Sequence, residues 1–499
     1  MPGNYVPDMN IALNPTVFVF NETDFSLNPA KIEVREGRYT IHDLSLNHAD
    51  DANEYVKIDG SISASREDSI RVDVSQFRLG TVFGAMKADV PLSGIVNGQI
   101  VARNLLSTPF ILSRGFSLND IVLSGNSIGD LKIISGWSSE RNGLALRATL
   151  SRENHLQSVV SGFVLPEKDS ISVTANIRDI ELKWLESFTK DVLFGLEGDL
   201  SADIKMNGKI STPTINGMAY FNDAKVGVNM LNTLYSINDS IYITPKSIDL
   251  KQFTVLDEKQ HPLIANGKIT HQQFSDLNPN ISIQLNDFQL INNEKQTDNL
   301  FYGEFRVNGN LNVKKERKNW VLSGDVNPTR NSKIMVNLPP SVTSAQRHNS
   351  ITFINQEKDD LAEFQQKNNE EEMAPFPLKI NLALLLDPSL SVGAVFNLAT
   401  GDVAQVAGKG SINFSYDMIT SVASLTGDYE ITSGRATLSL ANLTKKTFTV
   451  QEGGKLVFRG DPMATTFDIT ALYDLRADLV SLDPSFGNIG LSTDRKSVV

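Results

Sequence analysis

The chain has no cysteine in 499 residues. Disulfide staples, thiolate nucleophiles and cysteine-ligated metals are therefore excluded. It has no run of 18 apolar residues, so no segment reads as a membrane-spanning helix. It has no basic surplus: 46 Lys and Arg face 58 Asp and Glu, giving a net charge of −12. A nucleic-acid partner, which needs a basic stripe, is not expected. Histidine is scarce. His42, His48, His155, His261, His271 and His348 are scattered without metal-ligand spacing. His261 and His271 read as two exposed loop residues, and no metal site is expected. The opening "MPGNYVPDMNIALNPTVF" lacks the basic-then-apolar order of a secretory signal. Either the chain is cytosolic or its N-terminal targeting part is missing.

Motifs that carry chemistry are also thin. No Walker loop or dinucleotide fingerprint occurs. "GNSIG" at 125–129 has the G-x-S-x-G form, but a nucleophile elbow needs a strand before it and a helix after it. Here "LKIISG" follows, so Ser127 reads as part of a hairpin. Asp359-Asp360 and Glu370–Glu372 pair carboxylates only inside a solvated acidic run. Such a run offers no burial to raise a catalytic pKa. No catalytic residue and no cofactor is expected, and the chain does not read as an enzyme.

What is present is alternation. The composition, 40% hydrophobic and 21% charged, is that of a globular protein. Three stretches read alike: "KIDGSISASREDSIRVDVSQFRL" (57–79), "VVSGFVLPEKDSISVTANIRDIEL" (159–182) and "IANGKITHQQFSDLNPNISIQLNDFQL" (264–290). Each runs through a glycine into a polar turn and then an alternating strand. Gly60, Gly162 and Gly267 are 102 and 105 residues apart. A second glycine follows each in "IVNGQI", "KMNGKI" and "RVNGNL", at Gly98, Gly208 and Gly309. Short helical stripes fit between them, at Leu79, Val82, Phe83 and Met86, and at Trp184, Leu185, Phe188 and Val192.

Further on, "KINLALLLD", "SLSVGAVFNL", "GSINFSYD" and "GRATLSL" each place apolar residues on one face. Turn signals such as Gly401-Asp402 and Gly460-Asp461-Pro462 separate them. The fold class is all-β: an elongated stack of strands with a few short helices. Stacking on the order of 25 to 30 strands gives a body roughly 120–145 Å long. The expected divisions are 1–350 for the repeated modules, 351–377 for an acidic flexible insertion, and 378–493 for a C-terminal β domain. The tail 494–499, "DRKSVV", breaks the pattern and reads as non-native.

The last quarter is more specific. In order come "LLLDPSLSV", "TGDVAQVAGKGSINFSYD", "LTGDYEITSGRATLSL" and "KKTFTVQEGGKLVFRGDPMATTFDITALYDLRADL". Together they resemble the C-terminal domain of the TamB family of AsmA-like envelope proteins, in the style of Bacteroidota members. Asp387-Pro388, Gly401-Asp402, Gly408 with Gly410, and Gly427 with Tyr429 carry the resemblance. So do Gly434, Phe448 before Gly453-Gly454, Gly460-Asp461-Pro462, and Ala471 with Tyr473.

The resemblance implies a long, incompletely closed, U-shaped sheet with an apolar inner wall. It implies a periplasmic location, with an inner-membrane anchor that this chain lacks. It further implies phospholipid as cargo and an Omp85-class outer-membrane barrel, TamA-like or BamA-like, as partner. Alternation and resemblance together make the groove candidates Leu382, Leu384, Ile412, Phe414, Tyr416, Tyr429, Ile431, Leu438, Leu440, Phe448, Leu456, Phe458, Phe467, Ile469 and Tyr473. For each residue, ordinary core packing is an equal reading. Two alternatives stay open for the whole chain: a β-repeat scaffold or adhesin-like solenoid with a filled core, and a β-solenoid enzyme acting on polysaccharide.

Overall fold

The computed structural model describes residues 8–20, 23–65, 67–80, 91–106, 110–153, 155–190, 192–229, 231–293, 301–337, 377–397, 400–440, 444–475 and 495–498. Val82, Phe83, Met86, His348 and almost all of the acidic stretch 351–377 lie outside them. The described residues form strand after strand, 32 in all. Among them, helix is limited to short 3-10 turns, a start at 79–80 and the four-residue Glu186–Thr189. The all-β expectation holds. Alternating β-branched and aromatic residues favour a pleated, half-buried surface over a helix.

The chain divides into two units. The N-terminal unit comprises Met1–Gly227, Ser236–Leu250 and Thr270–Leu277; the C-terminal unit comprises Val228–Tyr235, Lys251–Ile269 and Asn278–Val499. Both are built mainly from antiparallel neighbours. In the C-terminal unit the direction changes across 338–376: Asn319–Pro328 pairs in parallel with Leu378–Leu386, and Ser332–Asn337 with Leu390–Asn397. Ladder pairing then resumes antiparallel through Asp402–Asp417 and Val422–Leu440. Residues Arg495–Val498 pair with Ala471–Leu475.

The repeated glycines and asparagines have a physical role. In seven strands a non-glycine residue adopts a left-handed conformation, among them Asp43, Gln76, Asp120, Asp179, Asp223, Gln252 and Asp287, with φ between 44° and 54°. The ladder slips at Asp43, Gln76, Asp179 and Asp287, which marks a β-bulge. A bulge leaves one backbone N–H without a ladder partner. The following strand supplies it. Asn97 Oδ1 accepts from Gln76 N–H at 2.7 Å, Asn266 Oδ1 from Gln252 at 2.7 Å, and Asn308 Oδ1 from Asp287 at 2.7 Å. Asp130 does the same for Asp120 at 2.9 Å and Ser201 for Asp179 at 3.2 Å. The asparagine of "IVNGQI" and "RVNGNL" is therefore a bulge cap.

The glycine beside the cap is equally constrained. Gly60 has φ +129°, and a Cβ there would lie 2.1 Å from the Ser69 carbonyl oxygen. Gly267, its counterpart, has φ +136° and would meet the Asn280 carbonyl at 2.2 Å. No side chain fits at either position without moving the facing strand.

In the N-terminal unit, pairing aligns apolar residues across strands. One row runs Leu44, Ile58, Val72, Ile100, Ser113, Ser135, Leu146, Gly162, Val173 and Met206, each paired with the next. A second runs Phe77, Val96, Leu118, Leu131, Leu150, Ser158, Ile177 and Ala202. The opposite face carries polar rows such as Arg147, Ser161, Thr174 and Lys205.

The C-terminal unit aligns apolar residues in the same way: Leu285, Gly309, Val326, Leu384, Ile412, Gly427 and Phe458 form one row. Here many of the apolar side chains are buried together. Fourteen buried side chains form one cluster, among them Phe288, Val307, Val326 and Ile431. Burying each such side chain contributes about 1.5–3 kcal/mol.

Candidate apolar wall

Local alternation positions the candidate residues, and ladder register brings several together. Leu382 pairs with Phe414, and Leu384 with Ile412. Tyr429 pairs with Leu456, which pairs with Phe467. Phe448 and Tyr473 meet with ring centroids 5.6 Å apart. The Tyr473 hydroxyl accepts from Lys446 Nζ at 2.7 Å. Leu438 stands opposite Lys446, and Leu440 opposite Thr444.

Burial sorts these residues into three groups. Ile412, Tyr429 and Ile431 are sealed in the C-terminal cluster, with Ile431 at 0% exposure. Leu382, Leu384, Leu456 and Phe458 are half-buried against it. Phe414, Tyr416, Leu438, Phe448 and Tyr473 are half-buried elsewhere on the strands. Phe467 is 70% exposed and Ile469 is also exposed. For Leu440, the described residues include the backbone but not the side chain.

The more open apolar surface lies in the N-terminal unit, which the sequence reading passed over. There Leu144, Leu146, Leu150, Val160, Val164, Ile171, Val173, Ile204 and Met206 share one face and are all half-buried. Among the described residues, the buried apolar cluster of this unit holds Leu182, Leu196 and Ala224, while Phe25, Val34, Ile70, Phe77 and Ile121 are buried outside it. The signal was available in the alternation of 159–182. Alternation alone does not say whether such a face is packed or open. A ten-strand row at ladder spacing is about 43 Å long, against roughly 15 Å for the hydrocarbon of one leaflet.

Polar groups interrupt these faces: Ser113, Ser135 and Ser158 sit within the N-terminal rows and are buried. Tyr235, buried in the C-terminal cluster, donates its hydroxyl to the Leu290 carbonyl at 2.8 Å. Burial pushes its phenol well above the ordinary value. Tyr429 is as buried, and burial pushes its phenol up to about 12. Among the described residues its hydroxyl has no acceptor, and the Trp184 indole N–H has none either. A stranded buried donor costs about 1–3 kcal/mol.

The remaining candidates for chemistry are structural. Ser127 lies at the start of the strand Asn126–Ser138, paired with Val122. His271 is not an exposed loop residue. It is buried, its ring stacked on Phe274 at 4.5 Å, because it ends an inward-facing strand position. His261 Nδ1 lies 2.6 Å from the Arg306 guanidinium, which also reaches Asp287 at 3.0 Å and Asp257 at 3.6 Å. Burial pushes the Asp287 carboxyl up, but hydrogen bonds from Arg306 and Thr329 outweigh it and hold the group below the usual carboxylate range. No cluster of metal ligands occurs among the described residues. A shallow cleft of about 450 Å³ in the C-terminal unit is lined by Asp325, Asn381, Asn413, Ser415, Ser424 and Thr426, with Gly324, Leu382, Ala383 and Phe414.

No helix among the described residues is long and apolar enough to cross a membrane. Neither curated proteins nor solved structures provide a match to the chain. Residues 251–496 match the family described as TamB C-terminal domain, and that span holds thirteen of the fourteen cluster residues and every groove candidate. The chain thus carries a TamB-type C-terminal domain over just under half of its length, and the TamB family is one of cell-envelope transport and scaffold proteins.

Proposed function

We propose that the chain shelters phospholipid acyl tails against the apolar rows of its N-terminal unit, as part of a periplasmic path between inner and outer membranes. A lipid leaving a bilayer exposes its tails at about 0.8 kcal/mol per CH₂, or on the order of 25 kcal/mol for two chains of roughly 16 carbons. An apolar wall removes most of that cost while the head group stays hydrated. Successive rows offer similar contact, so no position is a deep trap. Nucleotide and catalytic residue are not required; direction comes from a gradient or a partner. The partner we assign is an Omp85-class barrel, with a supporting role in outer-membrane protein assembly.

One observation carries this reading: Leu146, Val160, Val173 and Met206 share one face of the N-terminal unit and are half-buried there, not sealed. The test is photo-crosslinking in membranes. A crosslinker at Leu146 or Val173 is expected to capture phospholipid, and one at Arg147 or Thr174 on the opposite face is not. Equal capture on both faces, or capture on neither, overturns the proposal. The filled-core scaffold is the second reading, favoured by the fourteen-residue cluster of the C-terminal unit. It predicts no lipid in the purified chain.

A further inference from the structure

The cleft of the C-terminal unit lies on the sheet face opposite the packed cluster. Ser424 and Thr426 line it, and Leu425 between them does not; Leu425 packs against the cluster on the other side. Ladder register arranges the lining in two rims. One is Asn381, Ser415 and Ser424, each paired with the next; the other is Asp325, Ala383, Asn413 and Thr426. On any one strand the rims are two residues apart, about 6.8 Å. Between them Gly324, Leu382 and Phe414 contribute backbone, since Gly324 has no side chain and alternation turns those of Leu382 and Phe414 to the other face. Ala383, with a single methyl group, leaves a gap in the second rim.

These rims differ from much of the polar surface in being unpaired. Elsewhere polar side chains on neighbouring strands tie one another down: Lys379 to Asp417 at 2.8 Å, Lys225 to Glu197 at 2.6 Å, Asn176 to Asp203 at 2.7 Å. The side chains of Asn381, Asn413, Ser415, Ser424, Thr426 and Asp325 make no hydrogen bond or ion pair with other described residues. Their chemistry narrows the occupant. Every strand beneath the cleft is already bonded on both sides, so an extended peptide cannot add there as a strand. No Lys, Arg or His lines the cleft and Asp325 does, so a phosphate or carboxylate is repelled. An acyl tail would cover the rim groups and leave them without partners. The Asn amides and the Ser and Thr hydroxyls both donate and accept, and they suit a ligand whose uncharged groups do the same. Sugar hydroxyls do so. The rims repeat at ladder spacing, about 4.8 Å, close to the advance per ring of an extended β-linked glycan. Leu385 and Val422, 63% and 60% exposed, stand on the same face two residues from Ala383 and Ser424, where they meet the C–H faces of such rings.

We propose that this cleft binds an extended, uncharged glycan chain laid across the strands, with Asn381 and Asn413 as its principal hydrogen-bonding residues. Its volume of about 450 Å³ falls within the roughly 300–1,000 Å³ of ordinary ligand sites. Asp325 is the one carboxylate of the lining, whereas glycoside hydrolysis ordinarily takes two; the site holds the chain without cutting it. The inference stands independently of the lipid reading, whose apolar rows lie in the N-terminal unit. Free cell-wall-type chains and the sugar headgroups of neutral glycolipids share this chemistry.

The test is calorimetric titration of the full chain with chitotetraose and with cellotetraose. Saturable binding is expected. It should weaken about tenfold in the double variant Asn381→Ala, Asn413→Ala, which removes two polar contacts, and also in Ala383→Leu, which fills the gap in the rim. Tm should be unchanged in the double variant, since both asparagines are exposed. Thr437→Ala, outside the cleft, should bind as the unsubstituted chain does. Flotation with vesicles of digalactosyldiacylglycerol, against vesicles of phosphatidylcholine alone, separates the two sources. Binding of either tetrasaccharide assigns a free chain; capture of the glycolipid vesicles alone assigns a lipid-borne sugar. Binding in neither assay, or binding that both cleft variants leave unchanged, overturns the proposal.

Discussion

In the N-terminal unit Leu146, Val160 and Val173 are half-buried on a face that crosses ten strands, whereas in the C-terminal unit Val307, Val326 and Ile431 are almost entirely sealed. Strand chemistry does not separate them. Both units alternate, both align apolar rows by register, and both use capped bulges. The difference is what meets the face. In the C-terminal unit Phe288, Phe305 and Tyr235 pack with Ile412, Tyr429 and Val450 in one cluster. In the N-terminal unit the cluster among the described residues holds three, and Phe25 with Phe77 packs apart from it. One strand grammar therefore makes either a core or a surface, depending on whether bulky rings fill the space it encloses.

The comparison breaks most visibly under large-to-small substitution. Phe288→Ala is expected to lower stability by about 3–5 kcal/mol, since the residue is 1% exposed and packed on all sides. Leu146→Ala, already half-wet, is expected to lose only about 1 kcal/mol. Chemical denaturation followed separately in the two units reads both. Equal losses would mean that the two faces are packed alike.

A smaller effect tests what the units share. Asn97→Ala and Asn308→Ala each remove a bulge cap, one in each unit, and are expected to cost about 1 kcal/mol apiece. Amide hydrogen exchange should speed at Gln76 and Asp287 respectively and little elsewhere. A cap that matters in one unit alone would limit the device to that unit.

The smallest effect depends on pH. The Asp287 carboxyl is held below its ordinary range in the folded C-terminal unit. Its contribution is therefore complete above the unfolded value of about 3.9 and is lost as pH falls through the lower folded value. Asp287→Asn is expected to flatten the acid limb of the C-terminal unit's stability profile and leave that of the N-terminal unit unchanged. A parallel profile before and after substitution removes Asp287 from the account.

The all-β architecture was legible because period-two alternation is local. "KINLALLLD" declares its apolar face without help from distant residues. The repeat glycines were legible too, though their cause was not. Nothing in "IVNGQI" shows that Asn97 reaches back to Gln76 on the preceding strand. Register across strands is non-local, and so is the decision between core and wall. Ile431 and Phe467 look alike in sequence; one is sealed and the other stands 70% exposed. The fifteen groove candidates follow the C-terminal resemblance, so the half-buried rows of the N-terminal unit went unnamed. The parallel pairing across 338–376 was unreadable as well, because alternation does not encode strand direction.

The bulge caps carry a consequence for how such a chain changes length. Every cap comes from the strand that immediately follows its bulge: Asn97 serves Gln76, Ser201 serves Asp179, and Asn308 serves Asp287. Excising one strand would orphan a bulge and reverse the polarity of all that comes after it. Excising two consecutive strands, bulge and cap together, leaves both intact. The heritable module of this architecture is thus the couplet, and relatives of differing reach should differ by even numbers of strands.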